Sequence, residues 1–168
     1  MSFQEWLDRH DACPEARDWV ADQSEEDAYA AVLVPAWMTW YSRRRPRAPA
    51  AQYAQAAISA ALLGDHVEAW IGWANAWLAG EDRSLESAIA AAALAGPDRP
   101  AEDAALSAAN YARAVIAEAS ENPALQASRE SRARTYARWS IIASVDDGAD
   151  PAGVANTIRP FLQPPYLP

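Results

Sequence analysis

Asp65-His66-Val67-Glu68-Ala69-Trp70-Ile71-Gly72-Trp73-Ala74-Asn75-Ala76-Trp77-Leu78-Ala79-Gly80 is the stretch that decides the fold class. It predicts one helix. Asp65 stands at an N-cap position, Glu68 follows three residues later as a capping box requires, and Gly80 stands where a helix ends in the left-handed conformation. His66, Trp70, Trp73 and Trp77 fall on one helical face, with Val67, Ile71, Ala74 and Leu78 on the neighbouring stripe. A helix apolar around most of its circumference belongs in the middle of a bundle. Core packing is the favoured role for these indoles. The competing role is a groove that grips a partner, because Trp is enriched at interface hot spots.

The remaining sequence is written in the same style. Of 168 residues a quarter are Ala, the best helix former, and Val, Ile and Thr are sparse. Pro and Gly stand at the edges of apolar runs, where they punctuate helices. The chain therefore reads as a single all-α domain over 1–168. Residues 1–47 form a small N-terminal lobe of short helices. An antiparallel helical bundle, faced with Ala, follows over 48–147. Residues 148–168 supply a short helix and an extended, Pro-rich C-terminal tail. Such a length buries enough surface to fold without a disulfide or metal.

Local signals place the helices. Ser2-Phe3-Gln4-Glu5 is a capping box, Pro14 and Pro35 suit first helical turns, and Ser24 and Ser84 are N-caps. Pro49 opens a helix with Tyr53, Ala57, Ala60 and Ala61 inward. Pro100 opens a longer one with Ala104, Ala108, Tyr111, Val115 and Ala119 along one side. Asn122-Pro123 starts another, with Tyr136, Trp139, Ile142 and Ala143 inward. Asp150-Pro151 begins a last short helix through Ile158, and the tail from Pro160 is expected to be extended.

Net charge is −9 with pI near 4.6, which argues against general affinity for nucleic acid or anionic membrane. Every basic residue is Arg, and the single Cys13 excludes an internal disulfide. No apolar run has transmembrane length and no basic-then-apolar leader is visible, so a cytoplasmic location is expected. Nine acids fall within residues 1–34 against Arg9 and Arg17; Arg43, Arg44, Arg45 and Arg47 then follow, and Arg129, Arg132, Arg134 and Arg138 form a second basic group.

Chemistry-bearing groups are few. Asp8, His10, Asp11 and Cys13 lie close together, but a nucleophile draws its base from elsewhere in the fold and only two His exist. Capping by Asp11 and a buried Cys13 are the favoured readings. His66 has no second His or Cys to complete a metal set, and is read as a hydrogen-bonded neighbour of the core. Carboxylate pairs at Glu25-Glu26-Asp27, Glu81-Asp82, Glu102-Asp103 and Asp146-Asp147 sit at helix ends, as caps do. No phosphate loop, nucleophile elbow or metalloprotease motif is present. Neither a catalytic residue, a cofactor nor a metal is expected. Two surfaces remain as partner sites. One is the acidic set Asp22, Glu25, Glu26 and Asp27, suited to a protein with a basic surface. The other is Trp37, Trp40, Arg43, Arg44 and Arg45, which suits a protein contact or, as the alternative, single-stranded nucleic acid. A homo-oligomer is compatible with the sequence, and a small-molecule pocket beside His66 and Trp70 is the last-ranked alternative.

Two stretches carry a resemblance. Asp11-Ala12-Cys13-Pro14-Glu15-Ala16-Arg17-Asp18-Trp19-Val20, followed by Pro35-Ala36-Trp37-Met38-Thr39-Trp40, resembles an Ala-Cys-x-Glu-Ala-x-x-Trp … Asp-Trp-Met-x-Trp-Leu element of small bacterial and phage proteins. The Ala- and Trp-rich body with Ile158-Arg159-Pro160-Phe161-Leu162-x-Pro164-Pro165 is similar to the helical immunity proteins of bacteria and phages. Val34-Pro35-Ala36-Trp37 departs from the pattern, with Pro-Ala where a Gly-Asp-like pair is usual. The resemblance implies binding to a toxin or other effector, as an immunity-type or phage counter-defence inhibitor, and carries over no catalytic residue. From the residues alone, Trp19 is expected to clasp two short helices. Its replacement by Ala should then cost about 3–5 kcal/mol in a denaturant melt, as for a core ring.

Overall fold

A computed structural model describes residues 1–44 and 48–162. The described chain is all-α: α1 (Phe3–Arg9), α2 (Pro14–Val20), α3 (Glu25–Ala31), α4 (Pro35–Ser42), α5 (Ala50–Ala61), α6 (Glu68–Ala79), α7 (Leu85–Ala95), α8 (Arg99–Ala119), α9 (Pro123–Asp146) and α10 (Pro151–Leu162). Caps explain most of the boundaries. Ser2 and Glu5 form the reciprocal capping box of α1, and Ser24, Ser84, Asp98 and Asn122 accept from the first turns of α3, α7, α8 and α9. Pro opens α2 and α4, where its missing N–H costs nothing.

Helices α8 and α9 pack along each other most extensively, α7 lies on α8, and α5 lies against both α8 and α9. Their shared surface is built from small side chains. Ala54, Ala57, Ala60, Ala104, Ala105, Ala108, Ala133 and Ala137 are fully buried. Buried hydroxyls join in. Ser107 donates to the Ala133 carbonyl at 2.8 Å, and Ser140 donates to the Pro100 carbonyl at 2.8 Å and the Ala57 carbonyl at 3.3 Å. Small residues let helix axes approach, and a hydroxyl that reaches a neighbouring backbone is satisfied without needing space.

This seam overturns three expectations. The inner face of α9 is Ala133, Ala137, Ser140, Ile141 and Ser144; Tyr136, Ile142 and Ala143 sit on its flank, and Trp139 is 46% exposed. On α8, Ala104 and Ala108 are buried as expected, but Tyr111 is half-buried, Ala119 is exposed and Val115 is 45% exposed. Large residues at helical spacing do not mark the inner face here, because a seam this close is filled mainly by Ala and Ser. The Trp-rich helix is not central either. In α6 only Trp70, Ala74 and Trp77 are buried, while Ala69, Gly72 and Asn75 face solvent. The helix buried on most sides is α5.

Two boundaries also differ. Helix α6 starts at Glu68 behind Val67, with no side-chain cap; Asp65 caps nothing and His66 precedes the helix. Gly80 does end it, at φ 81°, where a side chain would be strained. At the other end, α10 runs through Pro160 to Leu162 instead of stopping before it. Pro160 leaves the Asn156 carbonyl without a helical partner, but Asn156 is exposed to water. Ile158 and Leu162 are buried and hold the last turn in place. The remainder of the expected tail, 163–168, lies outside the described residues.

Helix α10 packs on α5, α4 and α9, and so joins the first four helices to the body. Arg159 makes the tie specific: its guanidinium donates to the Tyr29 carbonyl and, at 2.6 Å, to the Val32 carbonyl at the end of α3. Replacing Arg159 with Met should leave both carbonyls without that donor and cost about 2–4 kcal/mol in a urea melt. A loss below about 0.5 kcal/mol, the size of an ordinary surface substitution, would show that the tie contributes little.

Candidate functional site

The first four helices are too short to bury their own rings by themselves, so they converge ring against ring. Trp6 of α1 lies 5.6 Å from Tyr41 and 5.9 Å from Trp40, both on α4. Trp19 of α2 lies 5.9 Å from Trp37. Tyr29 of α3 lies 5.6 Å from Tyr41, whose hydroxyl donates to Glu25. Rings of this width on four seven- or eight-residue helices do not close completely. They enclose a solvent-open pocket of about 320 Å³. Its walls are Phe3 and Leu7 from α1, Ala16, Trp19 and Val20 from α2, Ala28 and Tyr29 from α3, and Trp37, Met38, Trp40 and Tyr41 from α4. Asp11, Cys13 and Arg138 add polar atoms to the lining.

Arg138 comes from α9, far away in sequence. Its Nε is buried with no hydrogen-bond partner, and its guanidinium makes no ion pair among the described residues. Arg44 lies over the Trp40 ring, 4.2 Å from the centroid, and donates to the Trp40 carbonyl at 3.4 Å. Burial, then repulsion from Arg43 and Arg138, pull the Arg44 pKa below its ordinary value, and Asp11 opposes this. Arg44 and Arg138 are therefore close enough to feel each other's charge.

Of the residues singled out from sequence, Trp37 and Trp40 line this pocket. Arg43 is exposed beyond the end of α4, and Arg45 lies outside the described residues. Asp22, Glu26 and Asp27 are exposed and stand apart from the pocket, Asp27 accepting from the Ser24 hydroxyl at 2.7 Å; Glu25 is half-buried beneath Tyr41. Trp19 is a half-buried pocket wall, not a core ring. The cost expected of Trp19→Ala falls accordingly to about 1–2 kcal/mol, since only part of its surface leaves water. Sequence reading missed the convergence. The available signal was the density of rings in the first 41 residues; nothing local pointed to Arg138.

The other candidate groups are dispersed. Asp8 pairs with Arg17 at 3.0 Å, and His10 bonds the Trp6 carbonyl at 2.8 Å while stacking on its indole. Cys13 is exposed, contrary to expectation, because it holds the extended N-cap position of α2. Asp11 has a φ of 55° after α1 and caps no helix. The His66 side chain is 4% exposed; its ring bonds the Asp98 carboxylate through Nδ1, and its Nε2 donates to the Ala61 carbonyl. It ties the entry of α6 to the end of α5 and to the cap of α8, beside a hollow of about 270 Å³. No group of described residues is arranged to hold a metal ion, and no described helix is long and apolar enough to cross a membrane.

Asp103 is the one carboxyl pushed far from its usual range. It is 8% exposed on α8, and burial raises its pKa to about 6, with Arg99 opposing and Glu102 adding to the rise. It lines neither cavity, so its effect is on stability. The unfolded carboxyl releases its proton near 3.8 and the folded one near 6, so the folded state holds more protons between them. Stability falls as pH rises through that window and stays lower above it. Asp103→Asn should therefore raise stability by about 1–2 kcal/mol at pH 7.5 and change it little at pH 4. Parallel melting curves for the two proteins across pH 4–7.5 would contradict this.

Compared with protein-family models, with curated proteins and with solved structures, the chain matches none.

Proposed function

We propose that this chain is a non-enzymatic protein-binding protein of the immunity or phage counter-defence type, acting in the cytoplasm by docking on a toxin or defence effector. In this reading an antiparallel helical bundle is the scaffold, and the first four helices form a lobe that carries the contact surface. The observation that carries it is a group of exposed acids at and before the start of α3. Asp22, Glu26 and Asp27 are exposed, and none forms an ion pair among the described residues. Helix α3 is about 10 Å long, and at its far end Leu33 and Val34 are exposed. Apolar contact flanked by unpaired charge is how specific interfaces are composed, and a negative rim steers a basic partner.

The nucleic-acid alternative has less support. Arg44 already covers Trp40, so that ring face is closed to a stacking base. Partner capture from a host or phage-infected lysate, treated with nuclease, supplies the ligand for the test. The triple variant Asp22→Lys, Glu26→Lys, Asp27→Lys should bind it about tenfold or more slowly at low salt, with a flatter salt dependence. Unchanged association kinetics at low salt would overturn the assignment of this face.

A further inference from the structure

The aromatic pocket is separate from the acidic face, and its composition is selective. Three Trp and two Tyr around one opening usually suit a cation, which an aromatic face attracts. Here that occupant meets two obstacles. The exposed face of Trp40 is already covered by the Arg44 guanidinium at 4.2 Å. A second guanidinium, Arg138, stands in the wall with its Nε buried and without a partner. The only acid in the lining is Asp11, which already offsets Arg44. That leaves Arg138 as the uncompensated charge. Arg138 is half-buried, its Nε is shut off from water without a partner, and a planar carboxylate is the group its fork of donors matches best.

The remaining wall is apolar, and a volume of about 320 Å³ lies at the small end of the range for ligand sites. It admits one ring system with a short side arm. We propose that this pocket binds small aromatic carboxylates of the arylalkanoate class, with the ring against the Trp19 and Trp37 indoles and the carboxylate on Arg138. This goes beyond the protein-docking reading and does not depend on it.

The test is a calorimetric titration of the full chain with three probes of one shape: 3-phenylpropionate, its neutral amide and 2-phenylethylamine. The acid should bind with a Kd of about 1 mM or tighter, and the amide about tenfold more weakly, because it lacks the charge-assisted pair. The amine should not saturate at about 10 mM. Arg138→Gln should weaken the acid about tenfold and leave the amide unchanged, whereas Arg138→Lys, which keeps the charge but not the fork, should recover only part of the loss. Equal affinity for acid and amide, preferred binding of the amine, or no binding of any probe overturns the proposal. Should Arg138→Gln fail to fold, the acid-to-amide ratio in the unaltered protein decides alone. An empty titration would leave the docking face on α3 untouched, since that face shares no residue with this pocket.

Discussion

Close approach of alanine-faced helices is the constraint on which the rest of this molecule depends. Along α5, α8 and α9 the buried side chains are mainly Ala and Ser, and two serines spend their hydroxyls on carbonyls of neighbouring helices. Such a seam gains its stability from many short contacts between backbones and methyl groups. It excludes rings. Of the eight Trp, none lies on the α8–α9 seam: Trp139 is turned outward, Trp70 and Trp77 plug the side of the body from α6 with Trp73 half-buried beside them, and Trp6, Trp19, Trp37 and Trp40 gather in the first four helices.

The pocket is a consequence of that exclusion. Four short helices given four indoles, Phe3, Tyr29 and Tyr41 cannot interdigitate as tightly as the alanine seam does. What holds them is attachment to the body, through α10 packed on α4 and Arg159 bonded to the end of α3. The pocket thus sits on a scaffold fixed from outside, and α9 supplies its cationic wall residue. The charged surface of α3 faces elsewhere, so one small group of helices presents two different surfaces, an acidic one and an aromatic one with a cation in its wall.

The immunity-type reading draws on exposed acids at and before the start of α3 and on a resemblance carried by Ala, Trp and Cys spacing in the first 40 residues. In the folded chain that element has a physical meaning of its own. Cys13, Ala16, Trp19, Trp37 and Trp40 all line the aromatic pocket. The spacing places small residues opposite large ones, which leaves a cavity where matched sizes would have closed it.

The sequence by itself determined the all-α class, nearly every helix start and the end of α6, because caps, N-terminal prolines and Gly80 act through local backbone geometry. It also determined the buried face of α5, where Tyr53, Ala57, Ala60 and Ala61 are inward as expected. Only the tertiary structure decided which face of α8 and α9 turns inward, because a periodic pattern cannot say how closely two helices approach and so whether Ala or Trp fits between them. The same limit governs α10, where burial of Leu162 and the Arg159 tie outweigh the helix-breaking tendency of Pro160. It governs Arg138 as well, since a residue on α9 joins a pocket built from residues 3–41 only once the fold has brought them together.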